Sequence, residues 1–206
     1  MHKQLLPFWD SLDGDFLVSP SNIDAYNLVL NPSKWPQHTL IVYGSWGKSH
    51  LIQLLIAKGY KLSHPEEING DSKIIWDNFP GAINSEIIFH RWNQIATEGR
   101  SLCVTMRNPP QVSNITPIDL KSRMSAALSV RIKPPEYELR RKIFTQWLRN
   151  NDINLEENVL EYFFTHHDDE LPRLEQKAQL IHNYALLHQK TATIYCIKES
   201  LETEKK

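Results

Sequence analysis

The stretch TLIVYGSWGKSHLIQLLIAKG, residues 39–59, decides the fold. Its first five residues form a short β-branched apolar run, the pattern of a strand buried on both faces of a parallel sheet. Gly44 ends that run. From Lys48 onward, apolar residues at 51, 52, 54, 55 and 56 with Gly59 as a stop predict a helix over 48–59. Between strand and helix lies Gly44-Ser45-Trp46-Gly47-Lys48-Ser49. Strand, tight glycine loop, helix and Lys-Ser is the context of a phosphate-binding loop. The usual pattern is G-x-x-x-x-G-K-[ST], and here only Ser45 and Trp46 separate the glycines.

In a complete loop the backbone N–H groups wrap the β-phosphate. The lysine reaches the β- and γ-phosphates, the hydroxyl holds Mg²⁺, and the helix N-terminus adds favourable charge. Removing two residues shortens that cradle by several ångströms, and Trp46 is bulky where a small residue lets the backbone approach phosphate. From the loop alone, a nucleotide site and a plain strand–helix turn with a surface lysine both stay open.

The flanking chain repeats the alternation. A helix is predicted after Ser21 and Asn22, which are candidate caps. Strands are predicted at 72–78, 101–107 and 128–132, and helices at 83–99 and 117–127. Strands alternating with helices indicate an α/β fold with a parallel sheet. At KPPEYE, residues 133–138, the character changes. Segments 135–150, 155–166, 169–188 and 194–203 all read as helix. The expected division is an N-terminal arm over 1–12, an α/β core over 13–133 and a helical lid over 134–206.

With 206 residues, 41% hydrophobic and 23% charged, the chain has the composition of a globular protein. Its formal net charge of -1 excludes a global basic field that would recruit nucleic acid. Neither a secretory h-region nor an 18-residue apolar run is present, so a cytoplasmic protein without a membrane partner is expected. Cys103 lies in the apolar run SLCVT and reads as a small core hydrophobe; Cys196 is far from it in sequence.

Asp77 ends the strand KIIWDN, where an acid can hold Mg²⁺ through water or simply cap the next turn. Asn78 follows it, and an amide cannot accept a proton, so intrinsic hydrolysis should be weak. Thr105 and Arg107 lie at the end of the third strand, where a polar side chain can sense a γ-phosphate. Arg123 in DLKSRM sits on a short helix. An arginine delivered to another subunit's phosphates raises hydrolysis by about 10³–10⁵; taken alone, each arginine is also an ordinary surface charge.

THHDDE, residues 165–170, places its ligand-type side chains consecutively, so on a helix they diverge, and a polar turn between lid helices is the better reading. Trp9, Trp35, Trp76, Trp92 and Trp147 fall in periodic or strand segments, as packing residues do. Arg140, Arg141, Lys142 and Arg149 form a basic lid face that is solvated by default.

In order along the chain, FLVSPSN, WP, GKSHL, IIWDN, FHRWNQIATEG, LCVTMRNPP and DLKSRM resemble the AAA+ core of the DnaA family. The likeness runs from residue 4 to 203 and is nearest to the Hda/HdaA branch, the regulatory inactivators of DnaA. It implies a RecA-like P-loop NTPase core with a helical lid. It further implies ADP or ATP at Phe16 and Asn22 near the adenine and at Gly44, Gly47, Lys48 and Ser49 near the phosphates. Asp77 would be the Walker B acid, with Mg²⁺ held through it and Ser49. Thr105 and Arg107 would form sensor 1, and Arg123 the arginine finger acting in trans.

The head MHKQLLPFW resembles the peptide with which such regulators dock on the DNA polymerase sliding clamp, through Gln4, Leu5, Leu6, Pro7 and Phe8. DnaA and the clamp are thus the implied partners, with DNA met only indirectly and a homodimer left open. No helix-turn-helix segment follows the lid, so origin recognition in the DnaA manner is not expected. Three departures touch the nucleotide: the short loop, Asn78 in place of a second acid, and Pro172 with Arg173 one residue after the sensor-2 position. The finger motif and the clamp-like peptide are kept. The combination suits a protein that acts on a partner's nucleotide, with an adaptor without catalytic effect, or an independent ATPase, as the alternatives.

Overall fold

A computed structural model describes residues 16–67, 70–167, 169–188 and 194–202. The chain divides into two compact units, Val18–Pro134 and a second formed by Met1–Leu17 with Pro135–Lys206.

In the first unit, helix α1 (Ile23–Leu30) precedes strand β1 (Thr39–Tyr43), helix α2 (Lys48–Ala57) and the two-residue strand β2 (Lys61–Leu62). Strands β3 (Lys73–Phe79) and β4 (Ala82–Asn84) follow, then helix α3 (Glu86–Thr97), β5 (Ser101–Met106) and β6 (Asn114–Thr116). Helix α4 (Ile118–Ala126) and β7 (Leu128–Arg131) complete it. The five main strands pair in the order β2-β3-β5-β1-β7, all parallel. Leu40, Ile41 and Val42 are buried, as are Ile74, Ile75 and Trp76, because helices cover both faces and each side of the pleat needs an apolar residue. On one face Ile41, Trp76, Val104 and Met106 pack with Ile88, Trp92 and Ile95 of α3 and with Leu120 and Met124 of α4. Leu51, Ile52 and Leu55 are the buried stripe of α2, beside Ala25 and Val29 of α1.

The expected helix over 83–99 begins later. Residues 82–84 instead form β4, paired in parallel with β6 through Ile83 opposite Ile115, in a separate two-stranded sheet. Ser85 then caps α3, its Oγ accepting from the Ile88 N–H at 3.3 Å. Asn22 occupies the position before α1, but its Oδ1 accepts from the Ser19 N–H at 2.9 Å, tying the preceding turn rather than capping the helix. Trp35, Trp76, Trp92 and Trp147 are all buried core residues, and Trp9 lies outside the described residues. Cys103 is buried, and that burial, reinforced by the Asp77 charge, pushes its thiol pKa far up. It is an inert core group.

The second unit contains α5 (Tyr137–Asn150), α6 (Glu157–His166), α7 (Leu171–His188) and α8 (Ile194–Glu202). Phe144 stacks on Phe163 with centroids 4.5 Å apart, and Phe164 meets both edge-on. In the THHDDE segment, Lys177 Nζ lies against His167 Nδ1 at 3.0 Å and pairs with Asp169, while His166 Nδ1 meets the Tyr162 carbonyl. Among the described residues no group of His, Cys, Asp and Glu could hold a metal ion. No described helix is long and apolar enough to cross a membrane.

His182 of α7 is buried edge-on against Trp147, and burial lowers its pKa. Between the unfolded value of 6.5 and the lowered folded value, the unfolded chain binds a proton that the folded one resists. Stability should therefore be fully present above that unfolded value and fall as the pH drops through the folded pKa. Denaturant titrations at neutral and mildly acid pH, read by Trp fluorescence, should show that loss. A His182→Leu chain should show a flatter pH dependence.

Candidate functional site

The site is built where β1, β3 and β5 end. Gly44 leaves β1 with φ +138, its N–H donating to the Met106 carbonyl at 3.2 Å, while Ile132 N–H donates to the Tyr43 carbonyl at 2.8 Å. The Ile132 carbonyl crosses so closely that a Cβ on residue 44 would lie 2.4 Å from its oxygen. Gly47 is the residue before α2, with φ +72. Both glycines thus answer a backbone need, and the loop they bound is a tight turn.

Lys48 opens α2 and points its ammonium back into the loop, donating to the Gly44 carbonyl at 2.5 Å. Its pKa is lowered, chiefly by burial; the Asp77 carboxylate opposes that effect and the Arg107 charge adds to it. Lys48, Asp77 and Arg107 are therefore near one another, as the sequence motifs require. Ser49, on the first turn of α2, is exposed.

Asp77 sits at an irregularity in β3, where the register with β5 shifts between Trp76 and Phe79 and Asn78 takes a φ of +49. The Asp77 carboxylate accepts from the Thr105 hydroxyl and from Asn78 N–H at 2.8 Å, and the Asn78 side-chain amide reaches it at 3.2 Å. Asn78 N–H also donates to Thr105 Oγ1 at 2.9 Å. Asp77 thus binds its own turn and Thr105 together.

The residue types for a nucleotide and Mg²⁺ are present, yet the loop is closed on itself. One Lys48 ammonium donor is taken by a loop carbonyl, and Asp77 already accepts three internal hydrogen bonds. In this form the loop's lysine and the acid bond within their own turns rather than face an open phosphate cradle.

Asn22 is buried in the turn that Ser19 and Ser21 share, Oγ to Oγ at 2.7 Å. Phe16 is half-buried and belongs to the second unit. Arg173 is exposed and lies 3.7 Å from Asp169. Gln4, Leu5, Leu6, Pro7 and Phe8 lie outside the described residues.

Arg123 stands apart from this cluster. It is exposed in the last turn of α4, its guanidinium 5.8 Å from the centre of the Phe89 ring on α3. Among the described residues no carboxylate pairs with it. Phe89 carried no sequence signal as its platform, since an aromatic on an amphipathic helix reads as core. Arg131, ending β7, was also unmarked; it lines a cavity with Arg107 and Trp46.

No protein-family model matches the chain. It is similar to the chromosomal replication initiator protein DnaA of Nautilia profundicola, 28% identical over 195 residues, covering 78% of this chain and 44% of that protein. The chain thus spans about half or less of the length of the curated relatives it matches. Domain III of the Thermotoga maritima replication initiation protein DnaA superposes with a TM-score of 0.72 at 22% identity, covering 95% of each chain. AMPPCP-bound DnaA from Aquifex aeolicus gives 0.68 at 18% identity, covering 98% of this chain and 71% of that one. The α/β fold with its parallel sheet and helical C-terminal part is that of the AAA+ domain III of DnaA.

Proposed function

We propose that this chain is an Hda-like regulator of replication initiation, which presents Arg123 to ATP held by a DnaA-type partner. The observation that carries it is the contrast between two places in one unit. The phosphate loop satisfies its own lysine and acid internally, whereas Arg123 is exposed, unpaired by any described carboxylate and propped on an aromatic ring. The similarity to DnaA supplies the kind of partner.

A guanidinium at a partner's γ-phosphate stabilises charge spread over the transferring phosphoryl oxygens, and DnaA–ADP would be the product. Gln4, Leu5, Leu6 and Phe8 would tether the chain to the sliding clamp and so to DNA only indirectly. The test is turnover of DnaA-bound ATP with clamp-loaded DNA, wild type against Arg123→Ala. Unchanged turnover with wild type, despite binding to DnaA or the clamp, would instead mark a non-catalytic adaptor.

An independent ATPase is disfavoured by the same geometry. AMPPCP is bound by the similar Aquifex protein. Here, ADP or ATP with Mg²⁺ must first displace Gly44 from Lys48. Calorimetric titration of the isolated chain with Mg-ATP and Mg-ADP should give no sub-micromolar binding. Tight binding with turnover would restore the loop as the seat of activity.

A further inference from the structure

In the second unit a cleft of about 380 Å³ runs along α5, lined by Leu17 and Leu160 and by the cations Arg141, Lys142 and Arg149. We propose that it is the seat of the chain's own acidic stretch Asp10–Asp15, which docks there and draws the N-terminal arm onto the helical unit.

The periodicity of α5 sets up the cleft. Its buried stripe is Leu139, Ile143, Phe144, Trp147 and Leu148. Arg141, Lys142 and Arg149 follow Glu138 by three, four and eleven residues, which puts all four on a different side of the helix. Two carboxylates also line the cleft. Glu157 is taken by Arg141, and Glu138 pairs with no described cation. The side chains of Lys142 and Arg149 are exposed, and neither has an ion pair or hydrogen bond among the described residues.

The acids that answer them come next in the chain. Phe16 and Leu17 belong to this unit, and Leu17 itself lines the cleft. The six residues before Phe16 are DSLDGD, with three aspartates, one leucine and no cation. Asp13 is four residues from Leu17 and Asp10 seven, so extended chain carries them up to about 14 and 25 Å from it. Lys142 and Arg149 are seven helical residues apart, about 10 Å along the axis. Asp10 and Asp13, three residues apart, also span about 10 Å when extended. Two carboxylates can therefore meet both cations at once, with Leu12 between them to cover the apolar lining of Leu17 and Leu160.

The tether favours this occupant over a free acidic peptide, because a segment joined to its site competes at an effective concentration on the order of millimolar. The clamp-like peptide Gln4–Phe8 ends two residues before Asp10, so a docked stretch holds that peptide at the helical unit. That consequence rests on the proposed clamp tether. The docking itself needs neither clamp nor DnaA.

The experiment digests the full chain briefly with chymotrypsin and follows the bonds after Trp9 and Leu12 by mass spectrometry. Each rate is divided by that of the free arm peptide of the same sequence in the same buffer. In low salt the arm should be protected at every protein concentration. In about 1 M salt it should be cut on the order of ten-fold faster, since screening removes exposed ion pairs. Lys142→Glu with Arg149→Glu should release it by a similar factor in low salt, and so should Asp10→Lys with Asp13→Lys. Combining the two pairs of reversals should restore protection. Lys34→Glu, a remote exposed cation, should change nothing. Cutting of the wild-type arm as fast as the free peptide would overturn the proposal. So would a Lys142→Glu, Arg149→Glu chain that stays protected, an equal release in Lys34→Glu, or a combined variant left unprotected. Protection lost on dilution would overturn it too, by naming a second copy's arm as the occupant.

Discussion

An Arg123→Ala chain should leave DnaA-bound ATP hydrolysing at its unassisted rate, a loss on the order of 10³-fold or more in stimulated turnover. The size follows from what a finger does. Its charge meets charge that develops only in the transition state, inside a site from which water is excluded. The resting contact with Phe89 costs little to leave, because an exposed cation–π pair contributes about 0.5–1 kcal/mol. Arg123 is exposed, so its removal should leave thermal stability within about 1 kcal/mol of wild type, the size of the lost cation–π contact. Single-turnover assays with radiolabelled DnaA–ATP and clamp-loaded DNA measure the first quantity, and a thermal melt the second. Stimulation equal to wild type would remove the finger mechanism outright.

The largest stability effect is expected at Gly44→Ala. A Cβ there meets the Ile132 carbonyl oxygen at 2.4 Å, and the obstacle is backbone, which cannot rotate away. The φ of +138 is also closed to alanine. Backbone strain and overpacking together cost about 2–6 kcal/mol. For a chain of this size that lowers the melting temperature by roughly 10 °C. Gly47→Ala should cost less. Its added Cβ meets only the Ile132 side chain at 3.9 Å, which leaves the φ penalty alone. Melting the two variants side by side separates steric closure from conformational strain. Equal losses would show that Ile132 does not close over the loop.

The sequence showed the parallel core because β1, β3 and β5 are buried on both faces and so read as unbroken apolar runs. The alternating helices were as visible, since α2, α3 and α5 each carry a buried stripe. It could not show β2, β4 or β6. Two or three residues are too few to display a period, and their pairing depends on partners distant in the chain, as Ile83 on Ile115. For the site, Gly44, Gly47, Lys48, Asp77, Thr105 and Arg107 were nameable from motif order.

Their internal hydrogen bonds were not. Whether a lysine faces a ligand or its own loop carbonyl is decided by a few ångströms of backbone that no spacing rule encodes. Asn78 was read as a missing acid. The structure adds that its positive φ turns the strand, so that its N–H meets both Asp77 and Thr105. Arg131 escaped notice because an arginine ending a strand has the appearance of any solvated edge charge.

The two outermost strands of the main sheet have a consequence for self-association. β2 is two residues long and opens with Lys61, whose ammonium pairs with Asp71 at 2.7 Å; β7 is four residues long and closes with Arg131. An edge this short, with a cation on it, gives an incoming strand too few free backbone groups to pair with and a charge to bury. The long apolar strands most prone to stack into fibrils are thus kept in the middle, guarded on either flank. Lengthening β7, or neutralising Arg131 and Lys61 together, would weaken that guard and favour amyloid-like growth over the folded chain.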